Sequence, residues 1–348
     1  MITRRFVLAI AASTALAAFA TGISTTVATA QEVVLKLHHF LPAQANVPKH
    51  VLDVWADKVE KDSGNRIKVE RYPSMQLGGK PPELIDQAID GVADIVWTVV
   101  GYTPGRFPRT EVFELPFMMT NAEAVSRAYW EMFDAKMKNE EFKDVHILAA
   151  WVHGPGMIHA NKAVKAPDDM KGLKIRGGSR SVNWLLEALG ATPIGMPVTA
   201  VPEGLSKGTI DGTTIPWEVT TALKVPELVK NHTEFTGRAL YTITFVLAMN
   251  KAKYESLPAD LKKVVDNNSG IELSAFAGKT QAFYDGPARE KAVNAGNNII
   301  TLSEADTGKW RDASQAVYAK FAADMDTKGY DGKALISEAQ ALVEKYSK

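Results

Sequence analysis

Apolar and polar positions change period along this chain in an orderly way. Val33 to Leu37 alternates like a β-strand, and Asn46 to Lys61 carries Val47, Val51, Val54, Trp55 and Val59 on one helical stripe. Ile67 to Tyr72 alternates again, and Pro81 to Asp90 reads as a helix with prolines in its first turn and Gly91 after it. Asp94 to Val100 is nearly unbroken apolar, as expected of a strand covered on both faces. Strand, helix, strand, helix, strand predicts an α/β lobe with a largely parallel sheet.

Further on, Ala122 to Lys138 reads as helix and Val145 to Val152 as strand. A second α/β unit follows: strand Leu173 to Arg176, helix Val182 to Leu189, then Gly190 and Pro193. Thr199 is a candidate cap for a short helix before Gly208, and strands are expected at Thr209 to Pro216 and Thr242 to Met249. From Pro258 the pattern is helical, over Pro258 to Asn294, Ser303 to Thr327 and Gly332 to Tyr346. There are no repeats, charge blocks or flexible linkers, which suits two lobes joined by several crossings.

The amino terminus has another character. Arg4 and Arg5 precede an apolar run, Phe6 to Ala20, and ATA stands before Gln31, the layout of a secretory signal peptide. The run is shorter than the roughly 20 residues a membrane span needs. Residues 1–30 are therefore expected to be a cleaved leader, by the general or the twin-arginine route, and the mature protein to be periplasmic. Its length would be 348 − 30 = 318 residues, with 40 − 2 = 38 basic against 40 acidic side chains, a formal charge of −2. That balance argues against nucleic-acid or membrane-surface binding. The chain has no cysteine, which removes disulfides, thiolate metal sites and a cysteine nucleophile.

Enzyme signatures are missing. No phosphate-binding glycine loop, HExxH or GxSxG occurs, and GGSRS at Gly177 to Ser181 lacks the lysine and spacing of a P-loop. None of the seven histidines has the i, i+4 spacing that presents two imidazoles to one zinc. His38 and His39 are neighbours on a strand and point to opposite faces. Neither a cofactor nor a metal is expected, and the chain does not read as an enzyme.

Arg176 is the residue that asks for an explanation. It closes an apolar strand and is followed by Gly177 and Gly178. Ligands of open α/β sheets collect beyond the carboxyl ends of strands, where a planar guanidinium can hold a carboxylate by two parallel hydrogen bonds. Position alone weighs a solvated arginine and a ligand anchor about equally.

The block APDDMKGLKIRGGSRSVNWLLEALGATPIGMPVTAVPEGLSKGTIDGTTIPWE, Ala166 to Glu218, resembles the central signature of DctP-type solute-binding proteins of TRAP transporters. FELPFMM at Phe113 to Met119, the strand GVADIVW and the leader fit the same family. The resemblance implies a two-lobed, periplasmic-binding-protein-like α/β fold. Residues 31–153 would form mainly lobe 1, and 154–250 mainly lobe 2 with crossing strands. Residues 251–348 would pack on and bridge both lobes. Thr209 to Pro216 and Thr242 to Asn250 would be hinge strands, and a long helix around Asn268 to Asp285 a brace. It also implies that the two lobes close on a small organic acid whose carboxylate Arg176 clamps, and that membrane subunits of a TRAP transporter receive it.

One departure changes the expected substrate. Many members carry a second arginine in a GxR step, and Gly156 stands there in HGPGMIH; the position near Ile215, often an amide in sugar-acid binders, is apolar. Trp97, Trp151 and Trp217 stand at or near strand ends, with Phe40 and Tyr102 on adjacent loops. The expected ligand is thus an aromatic or apolar monocarboxylate; a C4-dicarboxylate or a hydroxy or keto acid is the alternative. Trp217 is the favoured aromatic wall. His39, His153, Arg106 and Arg180 are secondary polar handles, and Glu218 lines the cleft or, as in some keto-acid-binding relatives, helps hold a cation. A sensor subunit or a periplasmic hydrolase would be the rival classes.

Overall fold

In the first strand, β1 (Val33–His39), Leu35 and Leu37 are fully buried while Lys36 between them is exposed. That is the alternation of a strand covered on one side by helices. The computed structural model describes residues 33–348, so the leader expected at 1–30 lies outside the described residues.

Five strands form the first sheet. β1 pairs in parallel with β2 (Ile67–Tyr72) and β3 (Ile95–Val99), with α1 (Asp53–Asp62) and α2 (Leu84–Ile89) in the connections. Beyond β3 the sheet is not parallel. β10 (Thr244–Asn250) is inserted antiparallel between β3 and β4 (Val145–Val152), with a register shift between Leu247 and Ala248. The parallel sheet that the opening pattern predicts is thus a mixed one, because a strand from far along the chain returns to it.

The second sheet has six strands in the order β11-β9-β5-β8-β6-β7. These are β5 (Met157–Ala160), β6 (Lys174–Gly177), β7 (Thr192–Gly195), β8 (Gly212–Ile215), β9 (Asn231–Glu234) and β11 (Asn298–Thr301). β6 runs parallel to β7 and β8, and β5 is antiparallel to β8 and β9. The short edge strands and the polar β9 escape the sequence pattern. β9 reads NHTE, yet three of its four residues are buried because their side chains find partners. Thr233 donates to the Val164 carbonyl at 2.6 Å, and Glu234 meets Arg289 at 2.6 Å.

The chain passes between the sheets through the loops β4–β5 and β9–β10 and through a helical arm. This arm is α5 (Ile271–Phe283) and α6 (Asp285–Asn294), not one continuous helix from Pro258. Gly270, at φ 89°, separates α5 from a preceding helix that ends at Asn267. α5 lies close against α3 (Ala122–Met132): a Cβ on Gly278 would stand 2.2 Å from Ser126 Oγ. Ser274 on α5 accepts the Ala150 N–H of β4 at 3.0 Å, and Arg289 on α6 binds Glu234 of β9. One helical arm therefore holds both sheets. The expected helix at Ser303 to Thr327 is likewise two helices, Glu304–Ala313 and Ala316–Thr327, and the short helix Val201–Ser206 has Ala200, not Thr199, at its cap.

Candidate functional site

Between the sheets, where β1, β3, β6 and β8 end, lies a narrow cavity. Its space free of protein atoms, counted out to where it opens to solvent, is about 410 Å³. Its wall is mainly aromatic and aliphatic: Phe40, Trp97, Tyr102, Ile215, Tyr241 and Phe245 are prominent, and Arg176 enters from β6. The lobes are drawn together over it. A Cβ on Gly101, just past β3, would stand 2.5 Å from the Cβ of Ser179, and the Val198 N–H donates to the Tyr102 hydroxyl at 2.9 Å.

Arg176 is held from behind. Its Nε donates to the Met196 carbonyl at 3.0 Å and a terminal nitrogen to the Thr214 carbonyl at 3.2 Å. Those bonds leave part of its five-donor fork available. The residue is 2 % exposed, and no carboxylate among the described residues forms an ion pair with it. The two glycines after it have steric causes. A Cβ on Gly177 would lie 2.1 Å from Asn183 Oδ1, and one on Gly178 would lie 3.0 Å from both terminal nitrogens of Arg176. Ser179 then caps α4 (Arg180–Ala188) by accepting the Val182 N–H at 3.3 Å. Strand, paired glycines and cap together turn the guanidinium inward.

Trp97 forms the opposite wall. Phe40 stacks on it at 4.5 Å between centroids, and Phe245 at 5.6 Å. Behind these lies Trp151, parallel to Trp97 at 6.3 Å, with its N–H on Gln281 Oε1 at 3.0 Å. His153 shares Nδ1 with the Gly154 carbonyl and the Thr242 hydroxyl, and its Nε2 has no partner. Burial, helped by Arg176, pushes its pKa down to about 4, so the ring is neutral. Tyr241 sits against Gly156, where a Cβ would lie 2.1 Å from its ring. The missing side chain at 156 is what gives the tyrosine its place.

Of the residues expected at the site, Arg176, Trp97, His153, Tyr102, Ile215 and Glu218 line the cavity. The others are corrected by the structure. Trp217 lies in the second lobe's core against His159 and His232, with its N–H on Glu234 at 2.8 Å. It opens a helical turn after Pro216, so the adjacent Glu218 takes the cavity side. Trp151 is one layer behind the wall. His39 is buried next to Trp97 but faces a different depression, with Arg71 and Asp53. Arg106 pairs with Asp86 at 2.7 Å, and Arg180 ties Glu111 to Asp324 and lies over the Trp184 ring. Those two arginines have acidic partners and do not reach the cavity.

Tyr241, Phe245, Ile243, Thr214 and Gln281 also line the cavity and were not expected from the sequence. Phe245 was visible as part of a strand; Tyr241 stands in a loop and Gln281 in an arm whose facing no periodicity reveals. Among the described residues no three histidine or acidic side chains are grouped to hold a metal ion, and no helix is long and apolar enough to cross a membrane.

A family model described as bacterial extracellular solute-binding protein, family 7 (DctP), matches residues 37–324. The C4-dicarboxylate-binding periplasmic protein DctP of Rhodobacter capsulatus is 27% identical over 332 residues, 92% of this chain and 95% of that protein. Among solved structures, a TRAP solute-binding protein of Rhodoferax ferrireducens with copurified benzoate aligns with a TM-score of 0.89 at 51% identity. That alignment covers 90% of this chain and 98% of the other. A marine-metagenome TRAP solute-binding protein specific for aromatic acid ligands, with 3-hydroxybenzoate, aligns with a TM-score of 0.89 at 48% identity, covering 91% and 100%. The match over most of its length and the two-lobed architecture make this chain a member of the DctP family, the solute-binding receptors of TRAP transporters, which are not enzymes.

Proposed function

We propose that this receptor captures an aromatic monocarboxylate in the cavity between its lobes, with the carboxylate on Arg176 and the ring against Trp97, Phe40 and Phe245. One observation carries the reading: Arg176 is 2 % exposed in a mainly apolar, aromatic cavity, and no described acid is paired with it. A buried cation without a counter-ion is unfavourable, so an anion that brings one is favoured there. The fork can give it charge-assisted bonds of roughly 1.5–3 kcal/mol each. A flat ring matches the narrow slot, as the benzoate and 3-hydroxybenzoate of the two aligned structures suggest. Arg176 is the one cationic side chain of the wall, so a second carboxylate finds no counter-ion there.

Ligand binding would favour the closed state, in which Tyr102 meets Val198 and Arg180 meets Glu111. The mature protein would act in the periplasm after its leader is cleaved, and pass its ligand to the membrane subunits of a TRAP transporter. The test is calorimetry with benzoate and succinate on wild type and Arg176→Ala. Benzoate should bind wild type more tightly than succinate and lose about tenfold or more in the variant. Preference for succinate, or unchanged benzoate binding without Arg176, would refute the reading.

A further inference from the structure

Four buried polar atoms in the cavity wall have no hydrogen-bond partner: Trp97 Nε1, His153 Nε2, the Tyr241 hydroxyl and Glu218 Oε1. Buried polar groups are nearly always satisfied, so such a set describes the ligand that completes them. His153, Tyr102 and Tyr241 all feel the charge of Arg176 and belong to its end of the cavity. A carboxylate there can serve that end only.

Glu218 belongs elsewhere. Its surroundings are Gln281, whose Nε2 donates to Oε2 at 3.2 Å, Asn46, which donates to its backbone carbonyl at 3.1 Å, and Asp285, which accepts its backbone N–H at 2.7 Å. Burial pushes its carboxyl up to about 7, opposed by Gln281 and Asn46. Asp285, the other acid facing it, is pushed well up by burial and by Glu218 itself. Two adjoining carboxyl groups in a dry place hold their protons. A neutral carboxyl group both donates and accepts hydrogen bonds, and a hydroxyl group is its matching partner.

We propose that Glu218 is the specificity-determining residue for a second, neutral polar group on the ligand, a ring hydroxyl received by Oε1 where the cavity meets the helical arm at Gln281 and Asp285. Benzenedicarboxylates are disfavoured because their second negative charge would be buried where the wall offers no second cationic side chain. The inference rests on the aromatic-acid reading above and narrows it to hydroxylated aromatic acids.

The experiment is calorimetry at pH 6 on wild type, Glu218→Gln and Glu218→Ala with benzoate, 3-hydroxybenzoate, 4-hydroxybenzoate, isophthalate and terephthalate. For wild type, at least one hydroxybenzoate should bind about tenfold or more tighter than benzoate, and both dicarboxylates about tenfold or more weaker. Glu218→Gln, still a hydrogen-bonding side chain, should keep most of the hydroxyl advantage. Glu218→Ala should lose it, while both dicarboxylates stay weak for want of a second cation. Each advantage is a ratio within one variant, so a general loss of stability cancels, and thermal melting of each variant confirms that it folds. If benzoate binds but neither hydroxybenzoate binds tighter, or the advantage survives in Glu218→Ala, the Glu218 inference is overturned while the aromatic reading stands. If none of these aromatic acids binds, both fall together.

Discussion

Gly178→Ala tests the placement of the Arg176 guanidinium without touching its charge. Gly178 is not among the glycines with positive φ, so its backbone accepts a side chain. The obstacle is space. The added methyl would lie 2.6 Å from Ile243 Cδ1 and 3.0 Å from both terminal nitrogens of Arg176. Ordinary carbon contacts are about 3.5–4 Å, so each neighbour must yield by roughly half an ångström or more. Ile243 can turn its terminal methyl, but Arg176 is pinned by the Met196 and Thr214 carbonyls at 3.0 and 3.2 Å. Overpacking of this kind costs about 1–3 kcal/mol. The displaced fork also loses part of a charge-assisted pair, so affinity for benzoate should fall by about tenfold to a hundredfold. Calorimetry reads the affinity and urea denaturation the stability. Gly308→Ala is the control: a methyl there meets nothing within 4 Å, and its helical site should gain about 0.5–1 kcal/mol. Benzoate binding within about twofold of wild type by Gly178→Ala would show that the guanidinium is not held as described, and the orientation argument would fail.

Two further outcomes follow from charges at the lobe junction. Arg180→Ala removes the partner of Glu111, which is nearly buried and bonded by Arg180 at 2.8 Å, and should lower stability by about 3 kcal/mol in urea denaturation; a loss below about 0.5 kcal/mol would show the pair to be idle. Glu114, whose Oε1 accepts the N–H and hydroxyl of Thr244, has its carboxyl raised by burial from 4.5 to about 7. Between those values the native state keeps a proton that the unfolded state has released, so this group's contribution is complete below about pH 4.5 and is lost as pH rises through 7. Glu114→Gln has no such loss and should gain on wild type by up to about 3 kcal/mol between pH 5 and 8. A constant difference between the two across that range would refute the raised carboxyl.

Much of the architecture was legible where one side of an element meets the core. The strands Ile67–Tyr72 and Val145–Val152 begin and end where their patterns say: the first alternates because one face is buried, and the second is a continuous apolar run because both faces are. The polar β9 left no such mark. It is buried through side-chain bonds to distant partners, such as His159 on His232 and Arg289 on Glu234, which no local pattern contains. The strand β10 was visible, but its antiparallel place between β3 and β4 was not, since pairing partners are chosen across the molecule.

The site divides in the same way. A charged residue ending an apolar strand before two glycines singled out Arg176 in the sequence, but its position left solvent and cleft equally open. The inward turn of the fork depends on the Met196 and Thr214 carbonyls that folding brings to it. The aromatic character of the cavity and the lack of a second arginine are also properties of the chain itself. The tertiary structure decided which aromatics form the wall. Trp217 and Glu218 are neighbours, and a helical turn of about 100° per residue sends one to the core and the other to the cavity. Tyr241 comes into place because Gly156, far away in sequence, leaves room for its ring. Residue types are set along the chain, but the empty space a ligand fills exists only between parts of it that folding brings together.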